Sequence, residues 1–340
     1  MTKPILEVHN LTAGYAQNGG RNPHAVVTNV NETLHPGELV CLIGPNGAGK
    51  STLLRTLAGM QPALQGTVRL TGQDIRTMQA EDRARKLSLV LTHKLDVGFM
   101  TGYALVAMGR SPYTGWMGQL NVNDHAVIDE AVRLVGAQNL VDRSFSTMSD
   151  GERQKILIAR ALAQEPRLMI LDEPTAFLDL PRRVECMSLL GELAHRTQRA
   201  ILLSTHDLDL ALRCADKIWL LPYGGNLRVG VPEDLVLSGA FQTAFENLGV
   251  QFDIGTGTFQ TASHARKQIV LIGSGVQLTW TKRALERNGY TVLLERTQGL
   301  TTVELTTKVG LCDWRIDDSG VTGTSIENLL ATLSAKPLSV

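Results

Sequence analysis

Apolar and polar positions along the chain fall into blocks that predict strands separated by helices. Three continuous apolar runs have the length of fully buried strands: Leu39 to Ile43, Leu168 to Leu171 and Ala200 to Leu203. A helical pattern follows the first run from Ser51 to Met60, and residues 97–163 read as mainly helical. This order predicts an α/β fold with a mostly parallel sheet and a helical insertion at about 97–163.

The two ends of the chain carry patterns of their own. The first 35 residues predict short strands, most simply a hairpin, that break at a Gly/Asn-rich turn around 18–22. After residue 262 the pattern restarts with a strand at Gln268–Ile272, a helix at Val276–Asn288 and a strand at Tyr290–Leu294. A β-rich stretch and a final helix at Ser325–Leu333 follow. We therefore expect a domain over 1–262 and a small α/β domain over 263–340, whose role the pattern leaves open.

Composition and charge narrow the class of protein. The 340 residues include 33 basic and 33 acidic side chains, so the chain lacks the basic surplus expected of a nucleic-acid-binding protein. Its apolar runs are too short to span a bilayer, and the residues that follow Met1 do not resemble a secretory signal. Four scattered cysteines suit a reducing compartment. We expect a cytoplasmic protein with a sizeable core.

A glycine-rich loop lies between the first buried strand and the helix that follows it. It fits the pattern G-x-x-x-x-G-K-[ST] in the strand–loop–helix context that gives this pattern its meaning. Backbone N–H groups of such a loop close around phosphate oxygens, its lysine reaches the β- and γ-phosphates, and its serine hydroxyl binds Mg²⁺. The loop residues are Gly44, Pro45, Asn46, Gly47, Ala48, Gly49, Lys50 and Ser51.

Two adjacent carboxylates end the second buried run. Asp172 lies where the end of a strand would direct an acid toward Mg²⁺, the usual acidic partner of a phosphate-binding loop. Glu173 follows it directly. Because neighbouring side chains point to opposite sides of a strand, we expect Asp172 to bind the metal and Glu173 to polarise the attacking water.

Further motifs decide which P-loop family the chain resembles. The segment Met148 to Gln154 resembles the Leu-Ser-Gly-Gly-Gln signature of ABC ATPases and begins a helix, with Ser149 as a predicted N-cap and Glu152 three residues later. Asp179 matches the D-loop of that family, His206 its switch histidine, and Tyr15 the aromatic residue that stacks on adenine. Over about residues 4–240, the chain is identified as a member of the ABC ATPase family.

The resemblance implies a fold, ligands and partners. The implied fold is the P-loop NTPase of the ABC cassette, with an antiparallel β subdomain beside the main sheet. The implied ligands are ATP and Mg²⁺, with Glu173 and His206 as catalytic residues and Ser51 and Asp172 at the metal. The implied nucleotide contacts are Tyr15, the loop from Gly44 to Ser51, Thr52, Ser149, Gly151 and Asp179.

In the family, the signature of one subunit faces the nucleotide bound to the other subunit. The resemblance therefore implies a homodimer with two shared sites. It further implies integral-membrane permease subunits and, through them, a substrate-binding protein, with the ATPase peripheral to the cytoplasmic face of the inner membrane. Nucleic acid is not among the implied partners.

The chain departs from the family pattern at two positions. Asp150 replaces the third residue of the signature, usually glycine, and brings a carboxylate near a triphosphate, where charge repulsion is unfavourable unless the side chain turns away. At the Q-loop, Thr92 stands in the segment where the family usually has glutamine. We assign its hydroxyl to the Mg²⁺ shell.

The segment Ala107 to Tyr113 bears on the transported solute. It contains Gly109-Arg110-Ser111-Pro112, which looks like the Gly-Arg-x-Pro stretch of ATPases that import iron-siderophore, haem or cobalamin. We expect an importer of this metal-chelate type. The alternative is a soluble ABC ATPase that acts on nucleic acid or ribosomes, which the single P-loop and the balanced charge disfavour.

Overall fold

A computed structural model gives the fold of the chain. It describes residues 3–17, 22–91, 97–115, 117–224, 226–246, 250–254, 257–261, 267–308, 311–317 and 319–335. The chain forms two compact units, Met1–Phe259 and Gln260–Val340. Within the described ranges, none of the helices combines the length and hydrophobicity needed to span a lipid bilayer.

The strands of the described residues are numbered in chain order. They are β1 (Leu6–Gln17), β2 (Asn22–Leu34), β3 (Leu39–Ile43), β4 (Gln65–Leu70), β5 (Gln73–Asp74), β6 (Leu87–Val90), β7 (Leu168–Asp172), β8 (Ala200–Ser204), β9 (Lys217–Leu220), β10 (Arg228–Gly230), β11 (Val250–Asp253), β12 (Thr258–Thr261), β13 (Lys267–Ile272), β14 (Tyr290–Leu293), β15 (Thr302–Lys308), β16 (Leu311–Ile316) and β17 (Thr322–Gly323).

The α-helices are numbered in the same way. They are α1 (Lys50–Leu57), α2 (Ala80–Lys86), α3 (Gly102–Ala107), α4 (Val122–Leu134), α5 (Asp150–Ala163), α6 (Leu180–Thr197), α7 (Leu208–Cys214), α8 (Pro232–Leu237), α9 (Ala240–Phe245), α10 (Gly275–Arg287) and α11 (Ile326–Ala335).

The central sheet of the first unit has the strand order β10-β9-β3-β8-β7-β6. All its neighbouring pairs are parallel except β9 with β10. Strands β3, β7 and β8 are buried along their whole length, which explains why their sequences are continuous apolar runs rather than alternating ones. Since parallel strands end at the same edge, the loops after β3, β7 and β8 meet there.

A second, antiparallel sheet has the order β2-β1-β4-β5. The predicted hairpin is confirmed by the pairing of β1 with β2, but the prediction of short strands is wrong, because the two strands run for 12 and 13 residues. Register shifts interrupt their ladder, and Asn10 and Asn29 adopt left-handed backbone with φ of 47° and 54°. Such bulges interrupt the alternation of apolar residues, so long strands look like short ones in the sequence.

The predicted helical insertion is confirmed. Helices α3, α4 and α5 pack together through a buried layer that includes Leu105, Ile128 and Ile156. Helix α5 begins at the predicted N-cap Ser149 and then leads back into the central sheet at β7. The β subdomain, the central sheet and this insertion together confirm the predicted fold class.

The second unit is a small α/β fold with its own core. Its sheet has the order β14-β13-β15-β16-β17, with β13 parallel to β14 and β15 and the remaining pairs antiparallel. The predicted elements are present with ends shifted by one or two residues. Buried side chains from the sheet and from α10 and α11 form the core, and they include Ile269, Leu271, Leu285, Val303, Trp314 and Leu329.

Candidate functional site

The phosphate loop connects β3 to α1, and two of its glycines are required by its geometry. A Cβ atom at Gly44 would lie 2.2 Å from the backbone carbonyl oxygen of Leu221, which cannot move aside without disturbing the chain beyond β9. Gly49 has a φ of 102°, in the left-handed region, and a Cβ there would lie 2.5 Å from the side chain of Val26. The loop therefore needs glycine at both positions.

Lys50 folds back over this loop. Its side chain is 6% exposed, and its Nζ donates hydrogen bonds to the carbonyl oxygens of Gly44 at 2.7 Å and Pro45 at 3.1 Å. Burial lowers the pKa of the amine, whereas the nearby carboxylates of Glu173 and Asp172 act to raise it. The loop thus holds a cation at the position where a phosphate-binding loop needs one.

Ser51 and Asp172 are brought together across 121 residues of sequence. The Ser51 hydroxyl donates to Oδ1 of Asp172 at 3.2 Å, at the edge where β7 ends. Hydroxyl and carboxylate oxygens are the hard ligands that Mg²⁺ prefers, so these two predicted metal residues fit the ion. Nucleotide phosphates beside Lys50 would complete such a set of oxygen ligands.

Ser204 is a site residue that the motif analysis missed. It is fully buried at the end of β8, donates to Oδ1 of Asp172 at 2.6 Å and accepts the backbone N–H of Glu173 at 2.9 Å. One hydroxyl therefore fixes both adjacent acids. The sequence signal was a polar residue at the end of an apolar run, two positions before His206.

Glu173 lies beyond the end of β7 rather than within a strand. Its φ is 50°, in the left-handed region that non-glycine residues seldom adopt. The expectation that strand alternation sets the direction of Glu173 is therefore wrong, because the strand ends at Asp172 and the chain turns at Glu173. Oε1 of Glu173 lies 2.5 Å from Nε2 of His206, so the two predicted catalytic side chains are in hydrogen-bonding contact.

Tyr15 and Thr52 connect the β subdomain to the phosphate loop. The Tyr15 hydroxyl lies 2.9 Å from Oγ1 of Thr52, which is buried in the first turn of α1. About half of the Tyr15 side chain is exposed. The ring is therefore anchored at its hydroxyl and accessible elsewhere, as a stacking surface for a base must be.

The signature segment lies at the start of α5. The predicted capping box is confirmed: the Ser149 N–H donates to Oε2 of Glu152 at 2.8 Å, and the Glu152 N–H donates to the Ser149 hydroxyl at 3.4 Å. Asp150 lies 3.5 Å from the guanidinium of Arg153. Among the described residues, no hydrogen bond joins Ser149 or Gly151 to the phosphate loop of the same chain.

Two other predicted residues have different outcomes. Asp179 is exposed and caps α6, accepting the backbone N–H of Arg182 at 3.0 Å. Thr92 lies outside the described residues, and its assignment to the Mg²⁺ shell stays a prediction.

The Gly-Arg-x-Pro stretch lies inside the helical insertion. Arg110 is 2% exposed and donates to Asp124 at 2.8 Å and to Glu165 at 2.7 Å, while its guanidinium stacks 4.0 Å above the Tyr113 ring. A Cβ at Gly109 would lie 2.2 Å from the carbonyl oxygen of Arg160 in α5. Both motif residues therefore fix the packing of the insertion.

Comparison with known families identifies the class of protein to which this fold and site belong. A model of the ABC transporter family matches residues 27–176, and a model of the iron ABC transporter C-terminal domain matches residues 266–334. The second match covers the small α/β unit.

Among curated relatives, an uncharacterised ABC transporter ATP-binding protein of Methanocaldococcus jannaschii is 39% identical over 85% of this chain and 99% of its own length. A petrobactin import ATP-binding protein of Bacillus anthracis is 36% identical over 68% of this chain and 84% of its own length. A cobalamin import ATP-binding protein of Halobacterium salinarum is 33% identical over 78% of this chain and 69% of its own length. The chain belongs to the ABC transporter ATP-binding proteins, a family of ATPases.

Solved structures agree with this assignment. A transporter described as being of metal-chelate type, in an inward-facing conformation, matches with a TM-score of 0.62 and 29% identity, over 72% of this chain and 90% of that chain. A dimeric bacterial ABC transporter cassette matches with a TM-score of 0.57 at 23% identity, over 67% and 98%. The second likeness supports the fold.

Proposed function

We propose that this chain hydrolyses ATP to power a membrane importer of a metal chelate of the iron-siderophore, haem or cobalamin type. The observation that carries the hydrolytic part is the cluster at the edge of the central sheet. There Ser51 and Asp172 meet close to Lys50, and Glu173 contacts His206.

The roles follow from the chemistry of these groups. Lys50 binds the β- and γ-phosphates of ATP. Ser51 and Asp172 would hold Mg²⁺, which would neutralise charge on the phosphates when bound. Glu173 accepts a proton from the attacking water, and His206 orients the Glu173 carboxylate and bonds to the γ-phosphate. Tyr15 stacks on the adenine.

The dimeric arrangement rests on the separation of the two half-sites. Ser149 and Gly151 begin a helix whose N-terminus favours anions, yet they make no hydrogen bond to their own phosphate loop among the described residues. In a two-fold homodimer, the signature of each subunit would complete the nucleotide site of the other, with Asp179 beside it. Binding of ATP would close the dimer and hydrolysis would release it.

The transported class rests on likeness to relatives. Relatives that import petrobactin and cobalamin, and the match to an iron transporter C-terminal domain, support a metal chelate. The ATPase would lie on the cytoplasmic face of the cell membrane against integral-membrane permease subunits. A substrate-binding protein would deliver the solute to those permease subunits. The named relatives give no support to a role on nucleic acid or ribosomes.

Uptake measurements test the transport proposal. Cells in which the gene is disrupted should lose uptake of one class among radiolabelled ferric siderophores, haem and cobalamin. The wild-type gene should restore that uptake and Glu173→Gln should not, although its product accumulates normally. Undiminished uptake of all three classes in the disrupted strain would contradict the proposed solute.

A further inference from the structure

The starts of α5 and α6 adjoin at Gly151 and Arg182. A Cβ atom at Gly151 would lie 3.4 Å from Cδ and 3.8 Å from Nε of Arg182, so the arginine stem passes beside the signature glycine. Arg182 is three residues after Asp179, whose side chain caps α6 through the Arg182 N–H. An arginine side chain therefore lies beside the half-site that we propose to face a partner's nucleotide.

Glu185 fixes the direction of this arginine. Its Oε2 accepts from Nη1 of Arg182 at 2.6 Å, and its Oε1 lies 2.6 Å from Nζ of Lys155 in α5. One carboxylate thus joins the signature helix to α6. The Arg182 side chain remains 56% exposed, and a guanidinium has five N–H donors, of which this contact uses the Nη1 group.

The charges around Arg182 explain why a cation matters here. Glu152, Asp179 and Glu185 lie close to the arginine. Asp150, where the family signature has glycine, adds a carboxylate at the start of α5. Arg153 is near Asp150, Arg143 binds Glu152 at 2.6 Å, and Lys155 binds Glu185. Without Arg182 these four acids would be offset only by the three bases just named, an unfavourable balance beside a triphosphate.

We propose that Arg182 of one subunit binds the γ-phosphate held by the phosphate loop of the other subunit. This inference rests on the shared-site homodimer of the proposed function and adds a residue outside the signature to that site. A planar guanidinium pairs with phosphate oxygens through two parallel hydrogen bonds, and a preorganised one needs little rearrangement when the dimer closes.

Dimerisation in the Glu173→Gln background tests this role. Arg182→Gln should weaken the Mg-ATP-dependent dimer by about 10- to 100-fold, the loss expected for hydrogen bonds to a charged group. Sedimentation velocity measures the dimer, and calorimetric titration at concentrations below dimerisation measures ATP binding to the monomer, which should not change. Arg182→Lys should give an intermediate dimer affinity. Arg196→Gln, at the exposed far end of α6, is the matched control and should behave as the parent.

Each contrary outcome has a distinct meaning. If Arg182→Gln dimerises as tightly as the parent, the phosphate contact is wrong. If it lowers ATP affinity of the monomer or the melting temperature without nucleotide, Arg182 supports its own subunit and the contact across the dimer is again wrong. If the Glu173→Gln parent itself forms no dimer with Mg-ATP, the shared-site proposal fails before Arg182 is reached.

Discussion

Ser204 organises the acidic pair at the level of single residues. Because its hydroxyl binds both Asp172 and the Glu173 backbone, it holds the chain in the left-handed turn that Glu173 occupies. A non-glycine residue in such a conformation costs about 1–3 kcal/mol and persists only where surrounding contacts determine it. The turn brings the Glu173 carboxylate to His206.

Removing the charge of Glu173 should separate binding from hydrolysis. Glu173→Gln keeps the size of the side chain but cannot accept the proton of water, so hydrolysis should slow by roughly two to four orders of magnitude. ATP affinity should be retained, because in the proposed site the phosphates are bound by Lys50 and the loop rather than by Glu173. Steady-state phosphate release and calorimetric titration measure the two quantities.

A matched substitution controls for the loss of a carboxylate. Glu130 lies on α4 with an exposed side chain paired to Arg133, and the Glu130→Gln protein should hydrolyse ATP at the wild-type rate. If the Glu173→Gln protein hydrolysed ATP at that same rate, the assignment of Glu173 as the general base would be wrong.

At the level of elements, the sequence predicts features whose residues are close together in the chain and misses contacts between residues that are far apart in it. The phosphate loop and the Ser149–Glu152 cap depend on residues a few positions apart, so their patterns are readable. Ser204, by contrast, meets Asp172 across 32 residues, a contact that no local pattern encodes. The lengths of β1 and β2 escape prediction for a related reason, because bulges disturb the period of two on which strand prediction depends.

Arg110 shows the same limit for the helical insertion. The motif around it resembles a transporter signature, but the sequence does not reveal that the side chain is buried between α4 and the end of α5. Its contacts with Asp124, Glu165 and the carbonyl oxygen of Ala163 span 14 to 55 residues. The packing of Arg110 within the helical insertion therefore explains why the motif contains an arginine.

Arg110→Met should destabilise the chain strongly. The substitution leaves Asp124, which is 1% exposed, without its guanidinium partner, and breaking a buried pair in this way costs about 3–5 kcal/mol. A urea titration followed by circular dichroism measures the loss of unfolding free energy. Arg133→Met removes an exposed pair and should change little. Equal stabilities of the two variants would contradict the structural role of Arg110.

At the level of the whole molecule, the proposed catalytic machinery belongs to one unit. The predicted site residues extend from Tyr15 to His206, within Met1–Phe259, and the second unit has a separate buried core.

Deleting residues 263–340 should therefore leave a folded ATPase. Ending the chain at residue 262 keeps β12 and its pairing with β11, so the first unit loses no strand. We expect soluble protein with a cooperative thermal transition and ATPase activity close to that of the full chain. An insoluble or inactive truncated protein would show that the second unit is needed for the fold or activity of the first.

The central claim is that each nucleotide site is shared between two subunits. A mixture of two forms of the Glu173→Gln protein tests it. One form carries Asn46→Cys in the phosphate loop, and the other carries Asp150→Cys at the start of α5. Both also carry Cys214→Ser and Cys312→Ser, which remove the less buried native thiols. Because each form has one introduced cysteine, a crosslink between positions 46 and 150 must join two chains. We predict that a short bifunctional maleimide gives covalent dimers with Mg-ATP and few with ADP. Dimers that form with Mg-ATP, as sedimentation shows, yet give no crosslink would contradict the shared site.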